Sequence, residues 1–169
     1  VFPTLVDILE IERPLWLQGS SLMPLVRGQS DQVREAVFAE VNYHAAYEPQ
    51  RAVRTTRWKY VRRFDNRTTP VMPNCDDSPS KDVWLAHGWR SQQVPRECLY
   101  DVVLDPSERN NLANDPAYSC ELEEMRMRLE AWMVATHDPL LDGPVPAPIG
   151  ARVNDPDDLS SSDPKWVVG

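Results

Sequence analysis

Apolar side chains recur every three or four residues between residues 116 and 135, and this spacing predicts a long amphipathic helix. Asp115 is a suitable N-cap and Pro116 a suitable first-turn residue, so the helix is expected to begin at this Asp-Pro step. The apolar stripe consists of Tyr118, Leu122, Met125, Leu129, Trp132 and Met133. A continuous stripe of this kind indicates a helix that packs against a sheet.

Alternating apolar and polar residues predict several strands before this helix. Residues 35–43 and 97–103 are strand candidates, and residues 50–64 are expected to form a hairpin around a Thr-Thr turn. The expected fold class is therefore α+β, a small antiparallel sheet of three to four strands packed by one long C-terminal helix.

Proline and glycine divide the N-terminal part into two short pieces. Residues 3–12 have apolar side chains at helical spacing, with Pro3 in the first turn and Pro14 as a stop. Residues 17–28 follow as a compact apolar loop. Because exposed apolar patches rarely stay bare, we expect residues 1–26 to be buried, against a second copy in a homo-oligomer or against a larger body.

Two further segments have the proline-rich composition that is typical of loops. Residues 65–96 carry four prolines and are expected to be long and irregular, as in a lid or a binding loop. Residues 140–169 are rich in proline and aspartate and are expected to form an extension over the surface. The sequence begins at Val1 directly with an amphipathic pattern and without a signal peptide, so we expect a fragment of a longer parent. The cellular compartment of the parent is therefore not predicted.

The charge of the chain limits its partners. A net charge of −8 disfavours a nucleic-acid footprint, and no apolar run approaches the roughly 20 residues of a membrane helix. Residues 51–67 are a local exception, with six arginines and one lysine against one aspartate. This arginine-rich segment is either a solvated strand face or a strip that faces an anion.

Common catalytic motifs are absent from the sequence. There is no Gly-rich phosphate loop, no G-x-S-x-G and no H-E-x-x-H, so no catalytic residue and no metal ligand is predicted. Cys75, Cys98 and Cys120 lack C-x-x-C spacing, which leaves open one disulfide with a spare thiol or three free thiols. His137 and Asp138 follow the long helix, where a capping role is expected.

One short segment combines groups that could bind a polar, anionic ligand. Residues 42–55 place His44, Glu48 and Arg51 in an expected loop between two strand candidates, and rigidly held loops often carry binding groups. Arginine supplies a bidentate fork for such a ligand. The three residues are therefore substrate-binding candidates, and the alternative is a local ion pair of Glu48 with Arg51 or Arg54.

Five segments taken together resemble the C-terminal part of sulfatases. They occur in the same order and span roughly residues 1–139: "VFPTLVDILEI", "LQGSSLMPLVRG", "RAVRTTRWKYVRRF", "CLYDVVLDPSERNNLANDP" and "LEAWMVATHDP". Within that family, "YHAAYEPQRAVRT", "NCDDSPSK" and "THDP" look most like the heparan N-sulfatase (N-sulfoglucosamine sulfohydrolase) branch and its bacterial relatives.

The resemblance implies a parent that hydrolyses sulfate esters or sulfamates. The family's nucleophile is a formylglycine made within C-x-P-S-R or S-x-P-S-R, beside a calcium held by Asp and Asn. The three cysteines here read "CDDSP", "CLYDV" and "CELEE", so neither formylglycine nor calcium is expected in this chain. Both are implied for a missing N-terminal α/β domain.

The resemblance also implies a domain division and a role. Residues 1–35 would be the tail of the large domain, its last short helix and loop; residues 36–139 would be the C-terminal subdomain and residues 140–169 an extension. The chain alone is expected to be inactive and, in the parent, to form one wall of a cleft for a sulfated sugar or small sulfate ester. The alternative is a non-catalytic module for sulfated-glycan binding or assembly.

Overall fold

The computed structural model describes residues 1–169, which form two compact units, Val1–Val37 and Phe38–Gly169. The first unit contains two short helices, α1 (Phe2–Ile8) and α2 (Met23–Val26). Helix α1 ends earlier than the predicted residue 12. Glu10 takes a left-handed φ of 53°, and the Ile11 amide turns back to the Val6 carbonyl, which closes the helix.

The first unit leaves many apolar side chains in contact with solvent. Its loop is attached to α1 by a hydrogen bond from the Leu22 amide to the Thr4 hydroxyl (3.0 Å). Exposed apolar residues of this unit include Leu5, Ile8, Leu9, Ile11, Leu15 and Trp16. The sequence-based division of the chain at residues 35 and 139 stays a prediction about the parent protein.

The second unit confirms the predicted α+β class. Four strands form an antiparallel sheet in the order β1-β2-β3-β4: β1 (Val37–Tyr43), β2 (Tyr47–Arg54), β3 (Trp58–Arg63) and β4 (Glu97–Asp101). The β2–β3 hairpin turns at Thr55, whose hydroxyl accepts the Trp58 amide (2.9 Å). Helix α4 (Ser119–Ala135) packs against β2 and β3.

The core lies between one face of this sheet and α4. Val53, Tyr60 and Leu99 are opposite one another across β2, β3 and β4, and all three are fully buried. Burying a side chain of this size stabilises the fold by about 2 kcal/mol. From α4, the buried side chains are Leu122, Met125, Leu129 and Met133, four positions of the predicted stripe.

A polar network crosses the edge of this core. The Tyr60 hydroxyl donates to Glu97 on β4, and Arg126 of α4 donates to both oxygens of the same carboxylate (2.9 and 2.5 Å). Burial and the Glu97 carboxylate raise the pKa of Tyr60. The Arg126 guanidinium, more than the opposing effect of burial, lowers the pKa of Glu97.

The connection from β4 to α4 is ordered by side chains that bind backbone. Asn111 accepts the Leu99 amide (2.9 Å) and donates to the Glu97 carbonyl (3.0 Å), so it acts as a partner for β4. Asp115 accepts the Ala117 amide (2.9 Å), as expected of the N-cap, and a 3-10 turn at Pro116–Tyr118 precedes α4.

Helix α4 ends in a backbone motif. The His137 amide bonds to the Val134 carbonyl and the Asp138 amide to the Met133 carbonyl, a Schellman arrangement with His137 at a left-handed φ of 52°. The expected capping role of His137 is thus performed by its backbone. Asp138 caps the next turn, Pro139–Leu141, by accepting the Leu140 amide (3.0 Å).

The segment 65–96 is more regular than predicted. It contains helix α3 (Pro79–Ala86) and two 3-10 turns, Met72–Asn74 and Trp89–Ser91. The irregular prediction was wrong because Pro79 stands at a first-turn position, where proline is compatible with a helix. Ser78 caps α3 by accepting the Lys81 amide (3.2 Å).

The extension after residue 139 is held by contacts with the rest of the second unit. Strands β5 (Arg152–Val153) and β6 (Trp166–Val167) pair with each other. Arg67 pairs with Asp157 (2.7 Å), and the Ser160 hydroxyl bonds to Asp77. No helix of the structure is long and apolar enough to cross a membrane. All three cysteines are free thiols.

Candidate functional site

The candidate site is a three-residue loop, residues 44–46, between β1 and β2. The expected longer loop over residues 42–55 was wrong, because Glu48 and Arg51 lie within β2. His44 is exposed on the loop, whereas Ala46 is fully buried beneath it. The sheet thus presents the imidazole at the end of two adjacent strands.

Asn74 fixes the shape of the 44–46 loop. Its side-chain oxygen accepts the amides of Ala45 and Ala46 (2.9 and 2.8 Å), and its nitrogen donates to the Ala46 carbonyl (3.2 Å). A second carbonyl of the loop, on Ala45, accepts the Asn154 amide from the extension (2.9 Å). With so many backbone groups bound, the loop is a rigid support for His44.

Glu48 joins this support to β3. One of its oxygens accepts from the Asn74 side chain (2.9 Å), and the other pairs with Arg63 (2.8 Å). Arg63 also approaches Asp65 (3.4 Å). The sequence-based alternative paired Glu48 with Arg51 or Arg54, but the structure supplies Arg63 from the neighbouring strand. Both charged groups are largely buried, so their positions are well defined.

Arg51 lies on the opposite face of β2, in a closed network. Its Nε and Nη2 atoms bind the two oxygens of Asp138 (2.5 and 2.9 Å), and both side chains are shielded from solvent. Its Nη1 donates to the carbonyls of Val41 and Gln50 (2.9 and 2.8 Å). The guanidinium therefore ties together β1, β2 and the end of α4.

The electrostatic balance at Asp138 favours its charged form. Burial acts to raise the pKa of Asp138, but the hydrogen bonds from Arg51 and the Leu140 amide outweigh it. The net result is a pKa below the ordinary value of 3.8. The sequence predicted a capping role for Asp138 and missed the ion pair, since 87 residues separate the two partners.

The arginine-rich segment 51–67 is largely paired with carboxylates. Besides the partners of Arg51 and Arg63, Arg57 binds Asp101 (2.8 Å) and Arg67 binds Asp157 (2.7 Å). Arg62 stacks on Phe64. This pairing reduces the positive charge that the segment offers to an external anion and favours the interpretation of a structural strand face.

The chain does not fit the calcium that the sulfatase resemblance implies. No three His, Cys, Asp or Glu side chains are grouped so that they could hold a metal ion. In the acidic extension, the carboxylates of Asp158 and Asp163 are already engaged, because they accept the backbone amides of residues 155, 159 and 160. No chemical step is therefore assigned to a metal on these residues.

Sequence reasoning did not identify Asn74, Asn154 or Arg63 as parts of the site. Asparagine in loops often binds backbone groups, and this is the only signal that Asn74 carried. Its partners are 26 to 29 residues away, a distance over which spacing in the sequence gives no guidance.

Several curated relatives of the chain are sulfatases. An ulvan-active sulfatase from Formosa agariphila is 30% identical over 154 residues, which cover 88% of this chain and 31% of the relative. Human N-sulphoglucosamine sulphohydrolase is 25% identical over 174 residues, which cover 84% of this chain and 33% of that enzyme. No protein-family model matches the chain.

Solved structures agree with the sequence relatives. A structure described as a 2-O GAG sulfatase superposes with a TM-score of 0.61 and 29% identity, covering 88% of this chain and 27% of that one. This chain belongs to the sulfatase family. It corresponds to a C-terminal part and spans about a third of the length of the ulvan-active sulfatase and of the human enzyme. The chain is similar to N-sulphoglucosamine sulphohydrolase (25% identity), and it is also similar to an ulvan-active sulfatase (30%) and a 2-O GAG sulfatase (29%).

Proposed function

We propose that this chain is part of a sulfatase that removes sulfate groups, as esters or sulfamates, from a sulfated sugar. The observation that carries the proposal is its similarity, over more than four-fifths of its length, to relatives named as sulfatases of ulvan and of N-sulphoglucosamine. In this proposal the formylglycine nucleophile and the calcium belong to the remaining part of the parent, which is the chain's first partner.

The chain by itself is proposed to be inactive. A sulfatase needs an activated nucleophile, and none of Cys75, Cys98 and Cys120 lies in the C-x-P-S-R context that yields formylglycine. The purified 169-residue chain should therefore not hydrolyse p-nitrophenyl sulfate above the rate in buffer. Turnover that co-purifies with the chain and saturates with substrate would contradict the proposal.

Within the parent, the 44–46 loop is proposed to line the substrate cleft. His44 is suited to contact the sugar, because its ring is exposed while the backbone around it is fixed. Glu48 and Arg51, predicted with His44 as substrate-binding residues, have protein partners that occupy their charged groups. Their proposed contribution is to position the loop next to the substrate.

Kinetics of the parent enzyme test the role of His44. His44→Ala should raise KM for a sulfated oligosaccharide severalfold and leave kcat/KM for p-nitrophenyl sulfate unchanged, because only the larger substrate reaches beyond the reacting sulfate. Glu124→Gln is the control, an exposed residue of α4 outside the 44–46 loop that should affect neither substrate. Equal losses on both substrates would remove His44 from the proposed sugar contact.

A further inference from the structure

A concave pocket separate from the 44–46 loop lies between helix α3 and the turn Trp89–Ser91 that follows it. Its volume is about 450 Å³, within the range of small-ligand sites. The lining residues are Cys75, Ser78, Ser80, Lys81, Trp84, Trp89 and Gln92. We call this the two-tryptophan pocket, and none of its residues takes part in the 44–46 loop.

The indole side chains of Trp84 and Trp89 form an aromatic wall of the pocket. Trp84 projects from α3 and remains 58% exposed, although burying a side chain of this size would be strongly favourable. Trp89 contributes from the turn Trp89–Ser91 and is half-buried. The Ser78 cap fixes α3, so the wall is formed before any ligand arrives.

Polar groups with unused hydrogen-bonding capacity accompany the indoles. The side chains of Ser80 and Gln92 form no hydrogen bond within the chain. Lys81 also lines the pocket, and its side chain is only 2% exposed. Its ammonium donates to the Cys75 carbonyl (2.8 Å) and to Asp77 (2.9 Å), which leaves one of three N–H groups without a protein acceptor.

These features match the chemistry of a pyranose ring with an anionic substituent. One face of such a ring is made of C–H groups, which the negative face of an indole attracts, and its edge is made of hydroxyls that pair with hydroxyl and amide side chains. A sulfate or carboxylate on the ring would accept from the ammonium. We propose that the two-tryptophan pocket binds a sulfated or carboxylated sugar unit.

This inference deepens the proposed function, since it rests on a sulfated-glycan substrate. It assigns Trp84 and Lys81 to a sugar unit other than the one at the 44–46 loop. Hydrolysis of p-nitrophenyl sulfate by the parent tests the sulfatase proposal and does not need the pocket. Sugar binding by the present chain tests the pocket alone, so the two proposals can fail separately.

Titration of the ¹⁵N-labelled chain, observed at the indole N–H resonances, tests the pocket. N-acetylglucosamine 6-sulfate should shift Trp84 and Trp89 most, glucuronic acid less, and unmodified N-acetylglucosamine least. Trp84→Ala should lower the affinity about tenfold, the loss of one stacking contact. Trp166→Ala is the matched control, since Trp166 is 61% exposed and lies outside the pocket.

The charge preference tests the role of Lys81. Lys81→Met should bind the sulfated and neutral sugars equally, with its fold checked by circular dichroism. If that variant does not fold, the unaltered chain should still show a smaller preference for the sulfated sugar at high salt than at low salt. Shifts spread over all the tryptophans, or equal effects of Trp84→Ala and Trp166→Ala, would overturn the proposal.

Discussion

Arg51 and Asp138 form a bidentate ion pair that no solvent reaches, and it joins strand β2 to the end of helix α4. The pair lies beside the apolar core, yet both oxygens of the carboxylate and most N–H groups of the guanidinium have partners. Removal of one partner would leave the other charge buried and unpaired, which usually costs about 3–5 kcal/mol.

The first prediction follows from that cost. Asp138→Ala should lower the free energy of unfolding by about 3–5 kcal/mol, and Arg51→Met together with Asp138→Leu should lower it by less than either single change. Urea unfolding of the chain measures both effects. Glu124→Gln is the control, since its pair with Arg128 is on the surface and should contribute less than about 0.5 kcal/mol. A loss below 1 kcal/mol in Asp138→Ala would show that the pair contributes little.

Stability should also depend on pH in the acid range. The pKa values of Asp138 and Glu97 lie below their ordinary values of 3.8 and 4.5 because of Arg51 and Arg126. The unfolded chain therefore takes up protons before the folded one, and the stabilisation present above about pH 5 is lost as the pH falls through the folded pKa values.

Urea midpoints at pH 7, 5, 4 and 3 measure this dependence. The midpoint should be nearly constant from pH 7 to pH 5 and should fall steeply below that. Asp138→Asn should weaken the fall, because it removes one of the carboxylates whose pKa is lowered in the folded chain. A midpoint that stays constant down to pH 3 would contradict the pKa directions.

The end of helix α4 provides a stabilising substitution. His137 holds a left-handed φ of 52°, where a side chain is strained and glycine is not. His137→Gly should raise the free energy of unfolding by about 0.5–1 kcal/mol, observed as a higher Tm. Thr136→Gly should have the opposite effect, because Thr136 has a right-handed conformation and its hydroxyl donates to the Trp132 carbonyl (2.8 Å). A lower Tm in His137→Gly would refute the strain argument.

Asn74 should control the mobility of the candidate site. Asn74→Ala removes the acceptor of two loop amides, so the Ala45 and Ala46 amides should exchange with deuterium about tenfold faster or more. Amides in the β2–β3 hairpin should keep their rates. Asn66→Ala, at an exposed asparagine of the same segment, should leave loop exchange unchanged. Unaltered exchange in Asn74→Ala would mean that other contacts hold the loop.

Regular spacing made much of the fold predictable. The apolar stripe of α4 and its Asp115 start follow from local rules, and so does the β2–β3 hairpin. Helix α3 was missed because the prolines around it outweighed a short apolar signal. The signal of Ser78 followed by Pro79, a cap before a first-turn proline, was present in the sequence.

The candidate site was only partly predictable for a different reason. The sequence shows which residues carry charge, but the partner of a charge depends on which strands become neighbours. Glu48 finds Arg63 because β2 and β3 pair with Gln50 opposite Arg63. Arg51 finds Asp138 because α4 returns across the sheet. Neither ion pair could be predicted from the spacing of nearby residues in the sequence.

The contacts of the extension have a consequence for biosynthesis. Arg67 binds Asp157, which is 90 positions later in the chain, and Asp77 binds Ser160, which is 83 positions later. The Ala45 carbonyl likewise accepts the amide of Asn154. Contacts of such long sequence separation form late, because the intervening chain must first be ordered. During translation the sheet and α4 can assemble before residue 154 leaves the ribosome. The 44–46 loop would then acquire its final shape only after residue 154 has emerged and its amide has bonded to the Ala45 carbonyl.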